Sequence, residues 1–308
     1  MNILVTGACG FIGSKVANSL SDFAEITTID NCTTGSINNL PTNTIFIEGD
    51  CQSSITIEKL EDKEFDIIMH IAGQSSGEIS FEDPIYDLQT NTQSTLMLLD
   101  YALKHRCKKF VFASTMSVYG DGHTDAVSEQ SELNPKSFYA IGKIASENYL
   151  KLYASYGLQT TSLRLFNVYG PGQNLENMKQ GMLSIYLSQL IKSGKIVVKG
   201  SPNRFRDFIH VKDVVNAFKR IVSYDENGYS CFNIGTGRSW MIQDVLNMLI
   251  DIYGKEFPIK YVDKTPGDME GVFANITRAV SLLNWQPYIE FKDGFANFVS
   301  WGLDKNVH

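Results

Sequence analysis

The sequence predicts an α/β fold, a doubly wound parallel sheet with a second, smaller α/β lobe. Three observations carry that expectation. Short β-prone apolar runs alternate with amphipathic stretches through residues 1–167. From about Val168 the rhythm loosens and Gly and Pro punctuate the chain at Gly170, Pro171, Gly172, Gly181, Gly194, Gly200 and Pro202. The 308 residues, 43% hydrophobic and 20% charged, have an ordinary globular composition with room for two lobes.

In order, Asn2–Thr6 reads as a strand, Gly7-Ala-Cys-Gly10-Phe-Ile-Gly13 as a glycine turn, and Phe11–Leu20 as a helix with Ile12, Val16 and Leu20 on one face. Glycines in that setting let backbone approach a pyrophosphate, and the helix amino end supplies N–H groups for it; Gly also marks plain tight turns. A second strand, Ile26–Ile29, ends at Asp30, near the spacing of an acid that binds adenosine ribose hydroxyls, which favours NAD over NADP. An Asp before Asn31 is equally a turn former. Ile45–Asp50 and Asp66–Ala72 read as third and fourth strands, with helices at Ile55–Leu60 and Asp87–Lys104. Lys109–Ser114 is a fifth strand, and ligands bind at the carboxyl ends of such strands, which sets Ser114 and Thr115 where a hydroxyl can meet a substrate oxygen. A hydroxyl ending a strand also serves as a cap. A helix over Phe138–Ala154 and a strand over Thr160–Phe166 follow; in the second lobe helices are expected at Met182–Ser193, Val211–Val222 and Ile242–Tyr253.

Tyr139 and Lys143, four apart, stack on one helix face. A phenol titrates near about pH 10, and a neighbouring cation favours the phenolate, so the spacing predicts an acid–base pair with a lowered Tyr139. Lys+Arg 27 against Asp+Glu 34 gives net −7, which argues against nucleic acid or an anionic membrane as partner. No apolar run reaches the roughly 18 residues of a membrane span, and the apolar start Met1–Val5 has no charged leader region, so a cytoplasmic protein is expected. Cys9, Cys32, Cys51, Cys107 and Cys231 are odd in number and lack a Cys-x-x-Cys pair, which suits reduced thiols; no metal is expected.

Together these motifs resemble the extended short-chain dehydrogenase/reductases, and most the nucleotide-sugar 4-epimerases of the NAD-dependent epimerase/dehydratase family. The resemblance runs nearly end to end: Gly7-x-x-Gly-x-x-Gly13, Asp30-Asn31, Gly49-Asp50, His70-Ile-Ala-Gly-Gln74, Asn91, Ser114-Thr-x-x-Val-Tyr-Gly120, Pro135-x-Ser-x-Tyr-x-x-x-Lys143. It continues through Arg164-Leu-Phe-Asn-Val-Tyr-Gly-Pro-Gly172, Arg206-Asp-Phe-Ile-His-Val211, Phe232-Asn-Ile-Gly-Thr-Gly237 and Pro266-Gly-Asp268. It implies an NAD-binding Rossmann domain over 1–167, with return segments near 207–235, and a nucleotide-sugar lobe over 168–308. Around NAD it implies Gly7, Gly10, Phe11, Ile12, Asp30, Asn31, Asp50, Cys51, Ala72, Asn91, Ser114, Tyr139, Lys143 and Phe166. Thr115, Tyr139 and Lys143 are the implied catalytic set, and Thr115, Tyr139, Asn167 and Arg206 the implied contacts to a UDP-sugar. A homodimer through the helices near Asn91–Lys104 and Phe138–Ser155 is also implied.

Three departures qualify the resemblance. Nucleotide-sugar 4,6-dehydratases carry acids after the threonine, where this chain has Met116 and Ser117, so epimerisation at C4 ranks ahead of dehydration. The Arg that many 4-epimerases place three residues before the Gly-Asp aspartate is Thr265 here, with Lys264 adjacent as a point charge lacking the bidentate fork. The position that gates acetamido sugars falls at about Val272, whose middling size selects neither class. The rival readings are a nucleotide-sugar reductase or dehydrogenase on the same scaffold, and a catalytically silent NAD sensor.

Overall fold

A computed structural model describes residues 1–304. Its strands are β1 (Asn2–Thr6), β2 (Glu25–Asp30), β3 (Thr44–Glu48), β4 (Ile67–His70), β5 (Lys109–Thr115), β6 (Gln159–Leu165), β7 (Asn167–Tyr169), β8 (Ile196–Lys199), β9 (Phe205–Arg206), β10 (Phe208–His210), β11 (Tyr229–Ile234), β12 (Trp240–Met241) and β13 (Ile259–Val262). Its helices are α1 (Phe11–Leu20), α2 (Ser54–Glu58), α3 (Gly77–Glu82), α4 (Pro84–Leu88), α5 (Ser94–Lys104), α6 (Phe138–Ala154), α7 (Met182–Ser193), α8 (Val211–Ser223), α9 (Ile242–Tyr253), α10 (Thr277–Leu283) and α11 (Phe291–Asp304).

Seven strands form one parallel sheet in the order β11-β6-β5-β4-β1-β2-β3. The order reverses between β1 and β4, and that switch point opens the ligand crevice of a doubly wound sheet. Every residue of β4, β5 and β6 is buried, as strands covered on both faces must be. One face carries a core shared by β1, α1 and α8, with Val16, Ala17 and Leu20 against Val214, Ala217 and Phe218. The other carries Leu98, Leu99, Phe110 and Leu150. A further apolar cluster joins α7, α9, α11 and β8 around Leu187, Leu246, Phe295 and Phe298. Among the described residues no helix is long and apolar enough to cross a membrane.

The expected helix over Asp87–Lys104 is not continuous. Pro84 opens α4, Asp83 caps it by accepting from Tyr86 N at 2.9 Å, and a π-helical turn over Gln89–Gln93 separates it from α5. The turn carries Asn91 inward, as π-bulges commonly do beside functional sites. β11, beside β6, brings residues 229–234 back into the sheet.

Candidate active site

The ends of β1, β2, β4 and β5 open into a cleft of about 1360 Å³, above the roughly 300–1,000 Å³ of a single small-ligand pocket, so it has room for a cofactor and a second ligand. At one end Gly7 lies at φ +69°, and a Cβ there would stand 2.7 Å from Ala72 N, so only glycine lets the ends of β1 and β4 close up. Gly10 begins α1 without a side-chain cap, leaving the helix amino end to an anion. The Asp30 carboxylate accepts from Cys9 N at 2.9 Å and Cys32 N at 2.7 Å, and Asn31 donates to Asp50 Oδ1 at 3.1 Å. Cys51 is buried beside them, its thiol pushed up to about 12 by burial and the Asp50 charge. Uncapped helix, glycine backbone and ribose-height carboxylate suit a dinucleotide such as NAD, with Phe11, Ile12, Ala72 and Phe166 also on the cleft wall.

At the deeper end, Ser137 caps α6 by accepting from Ala140 N at 3.2 Å, and the first turn presents Tyr139 to Thr115 at the end of β5. The geometry corrects the expected electrostatics. Lys143 Nζ donates to Ala113 O at 3.0 Å, lies over the Phe112 ring at 4.5 Å, and is 5.7 Å from the Tyr139 ring centre. Burial therefore dominates: it pushes the Tyr139 phenol up to about 12, with Thr115 opposing, and the Lys143 ammonium down to about 8, with Asp87 and Glu147 opposing. Burial thus favours the protonated phenol.

Of the residues singled out as site groups, all line the cleft except Asn91, which lies behind Gly73. Asn91 is fully buried; its Nδ2 donates to Gln74 O at 2.9 Å and Asp87 Oδ1 at 3.1 Å. The Ser114 hydroxyl turns from the cleft to donate to Glu147 Oε1 at 2.6 Å. Glu147 pairs with Arg164 at 2.7 and 2.9 Å, a buried fork that fixes α6 to β6. Thr115 also accepts from Ser117 N at 3.1 Å, so it caps the following 3₁₀ turn while facing the cleft.

On the opposite wall, Arg204 and Arg206 share the carboxylate of Asp268, two cations on one anion. Arg206 is pinned by four hydrogen bonds, two per terminal nitrogen: Nη1 donates to Phe205 O and Glu270 O, and Nη2 donates to Asp268 Oδ1 and Met269 O. Asn167 Nδ2 donates to Asp207 O at 3.0 Å. Thr265 lines the cleft and Lys264 does not, so the nearby cation is Arg204 rather than Lys264. Two ion pairs cross the cleft from α3, Glu78 to Lys199 at 2.9 Å and Glu82 to Lys179 at 2.5 Å, beside a Ser75–Gln180 hydrogen bond. Sequence reasoning missed Asp87, a buried carboxylate that accepts from Gln74 Nε2 at 2.7 Å and bears on the Lys143 charge; its place between Pro84 and Asn91 was the available signal.

A sequence model described as the NAD dependent epimerase/dehydratase family matches residues 3–235. The chain belongs to that family. Similar proteins include a putative UDP-glucose 4-epimerase of Methanocaldococcus jannaschii, 32% identical and covered over 99% of both chains. Among solved structures, a UDP-glucose 4-epimerase with UDP-glucose from Thermotoga maritima matches at TM-score 0.95, 32% identity and 100% of both chains. A UDP-N-acetylglucosamine 4-epimerase from Methanobrevibacter ruminantium, in complex with UDP-N-acetylmuramic acid, matches at TM-score 0.91 and 29% identity over 99% of this chain and 98% of that one. This member of the family is thus an NAD-dependent enzyme whose fold is the one expected from its sequence.

Proposed function

We propose that the protein inverts C4 of a UDP-hexose. The observation that carries this reading is the convergence of Thr115 and Tyr139, with Lys143 behind them, in a cleft whose glycine turn and Asp30 suit NAD and whose far wall sets two arginines on one carboxylate. NAD, when bound, accepts and returns a hydride and adds the positive charge of its oxidised ring. Tyr139 takes the proton of the sugar 4-hydroxyl and later returns it, while Thr115 hydrogen-bonds the same oxygen. Lys143, held on Ala113 O, places an ammonium near the phenol. Because burial, with the Asp87 charge, holds the phenol high, added positive charge beside it favours the base.

Residues 1–167 with the returning β11 are the cofactor half, and residues 168–308 the nucleotide-sugar half. Asn167 and Arg206 hold the substrate there, which leaves the hexose free to turn over as a 4-keto sugar. Met116 and Ser117 line the cleft after Thr115 and supply no carboxylate for elimination, which favours epimerisation over dehydration. Exposed Phe138, Ile141 and Leu152 on α6 support a homodimer through the helices near Asn91–Lys104 and Phe138–Ser155. Purified protein mixed with UDP-glucose, UDP-galactose or their N-acetyl forms, without added cofactor, is expected to interconvert one C4 pair; conversion of none rejects the proposal. Tyr139→Phe is expected to lower turnover by about 10²–10⁴-fold while NAD stays bound.

A further inference from the structure

Cys9 sits inside the glycine turn and is fully buried; Cys32 follows Asp30 and is half-buried. They are 23 residues apart in sequence, yet Cys32 Sγ is 3.6 Å from Cys9 Sγ. Three features hold them together. Asp30 accepts from the backbone N–H of both cysteines. Cys32 lies at φ +55°, in the left-handed region that a cysteine rarely adopts, one of three non-glycine residues there among those described. The chain after Cys32 folds over the turn: Ser36 N and Asn39 Nδ2 both donate to Cys9 O, at 3.0 and 2.9 Å.

We propose that Cys9 and Cys32 form a reversible disulfide, a modification site that joins the glycine turn to the loop after β2. The oxidant class is a hydroperoxide. The half-exposed Cys32 thiol attacks it, giving a sulfenic acid and, from hydrogen peroxide, one water. The Cys9 sulfur then attacks the Cys32 sulfur, the S–S bond forms, and the hydroxyl leaves with the Cys9 proton as a second water. Two thiols are oxidised, one peroxide is reduced, and a dithiol reductant reverses the change. The order follows from access: Cys32 is the half-exposed thiol, whereas Cys9 is buried, and burial with the Cys32 hydrogen bond and the Asp30 charge pushes its thiol up to about 12, which disfavours it as the first nucleophile and leaves it to meet the oxidised Cys32 sulfur 3.6 Å away.

A disulfide brings the sulfurs to about 2.05 Å. Closing from 3.6 Å draws the Cys32 segment toward the turn and disturbs the N–H that it donates to Asp30. The effect on cofactor rests on the reading of this cleft as the NAD site; the crosslink does not. The test treats the holoenzyme with hydrogen peroxide, alkylates remaining thiols, and maps the digest by mass spectrometry. The expected result is a linked peptide pair containing Cys9 and Cys32, lighter by two hydrogens, absent in Cys32→Ser and cleaved by dithiothreitol. NAD dissociation from the oxidised protein is expected to quicken about tenfold, the size of one lost hydrogen bond to a charged group. Full alkylation of both cysteines after peroxide, or linkage through other cysteines, overturns the proposal. A Cys9–Cys32 link with unchanged NAD release upholds the modification site and removes only its effect on cofactor.

Discussion

Glu147→Ala tests how α6 is held in place. The Glu147 and Arg164 side chains are 1% and 3% exposed, joined at 2.7 and 2.9 Å, and Glu147 also accepts from Ser114 at 2.6 Å. Truncation leaves the guanidinium with only the Tyr119 hydroxyl at 2.9 Å and Glu129 O at 3.2 Å, and leaves Ser114 without its acceptor. Breaking a buried pair by removing one partner costs about 3–5 kcal/mol, because a charge is stranded out of water. At about 2 °C per kcal/mol for a chain of this size, the melting temperature should fall by roughly 6–10 °C. Differential scanning calorimetry reads the shift, and turnover should drop with it because the same helix carries Tyr139. Replacing both partners, Glu147→Leu with Arg164→Met, should recover at least half of the loss, since no charge is then stranded. A Glu147→Ala protein within about 1 kcal/mol of wild type, or a double variant as unstable as the two losses summed, refutes the reasoning.

Other consequences are as direct. Asp30→Ala removes the acceptor for the Cys9 N–H of the glycine turn and the Cys32 N–H of the loop after β2, so NAD affinity, followed by fluorescence titration, should weaken by at least about tenfold. Arg206→Lys cannot reproduce the planar contacts to Phe205, Asp268, Met269 and Glu270, and the KM for a UDP-sugar should rise more than kcat falls. His70 is buried, with Thr6 at 2.8 Å and Thr95 at 3.1 Å, and burial holds it down to about 3 from the ordinary 6.5. The unfolded chain therefore takes up that proton first, and stability is lost as pH falls from 6.5 toward 3, by at most about 1.4 kcal/mol per pH unit. Urea midpoints at pH 7 and 4.5 should diverge more for wild type than for His70→Gln; an equal fall in both removes His70 as the cause.

Much of the sheet was legible because β1, β4 and most of β5 are apolar runs, although β6, Gln159–Leu165, is equally buried and mostly polar, and α1 and α6 coincide with their expected bounds. α3 and α4 were not, since each is under two turns and Asp83-Pro84 separates them. The spacing of Tyr139 and Lys143 placed both on one face, but spacing says nothing of solvent. It is the Ala113 carbonyl that holds the ammonium, and burial, not the neighbouring charge, governs the phenol. Similarly, a hydroxyl at Ser114 is visible in sequence, whereas its partner Glu147, 33 residues on, comes only from the packing of α6 on β5. Arg204 stands near the Gly-Asp turn through a 64-residue separation that no local pattern encodes.

The pairs between Glu78 and Lys199 and between Glu82 and Lys179 are partly open to water, so each contributes about 1 kcal/mol or less and weakens with salt. Parting both therefore lies within a few multiples of thermal energy. A bulky anionic guest entering between α3 and the Lys179–Lys199 side would compete for those same ammonium groups, so admission itself loosens the door, and the ease of passage should follow the ionic strength of the medium.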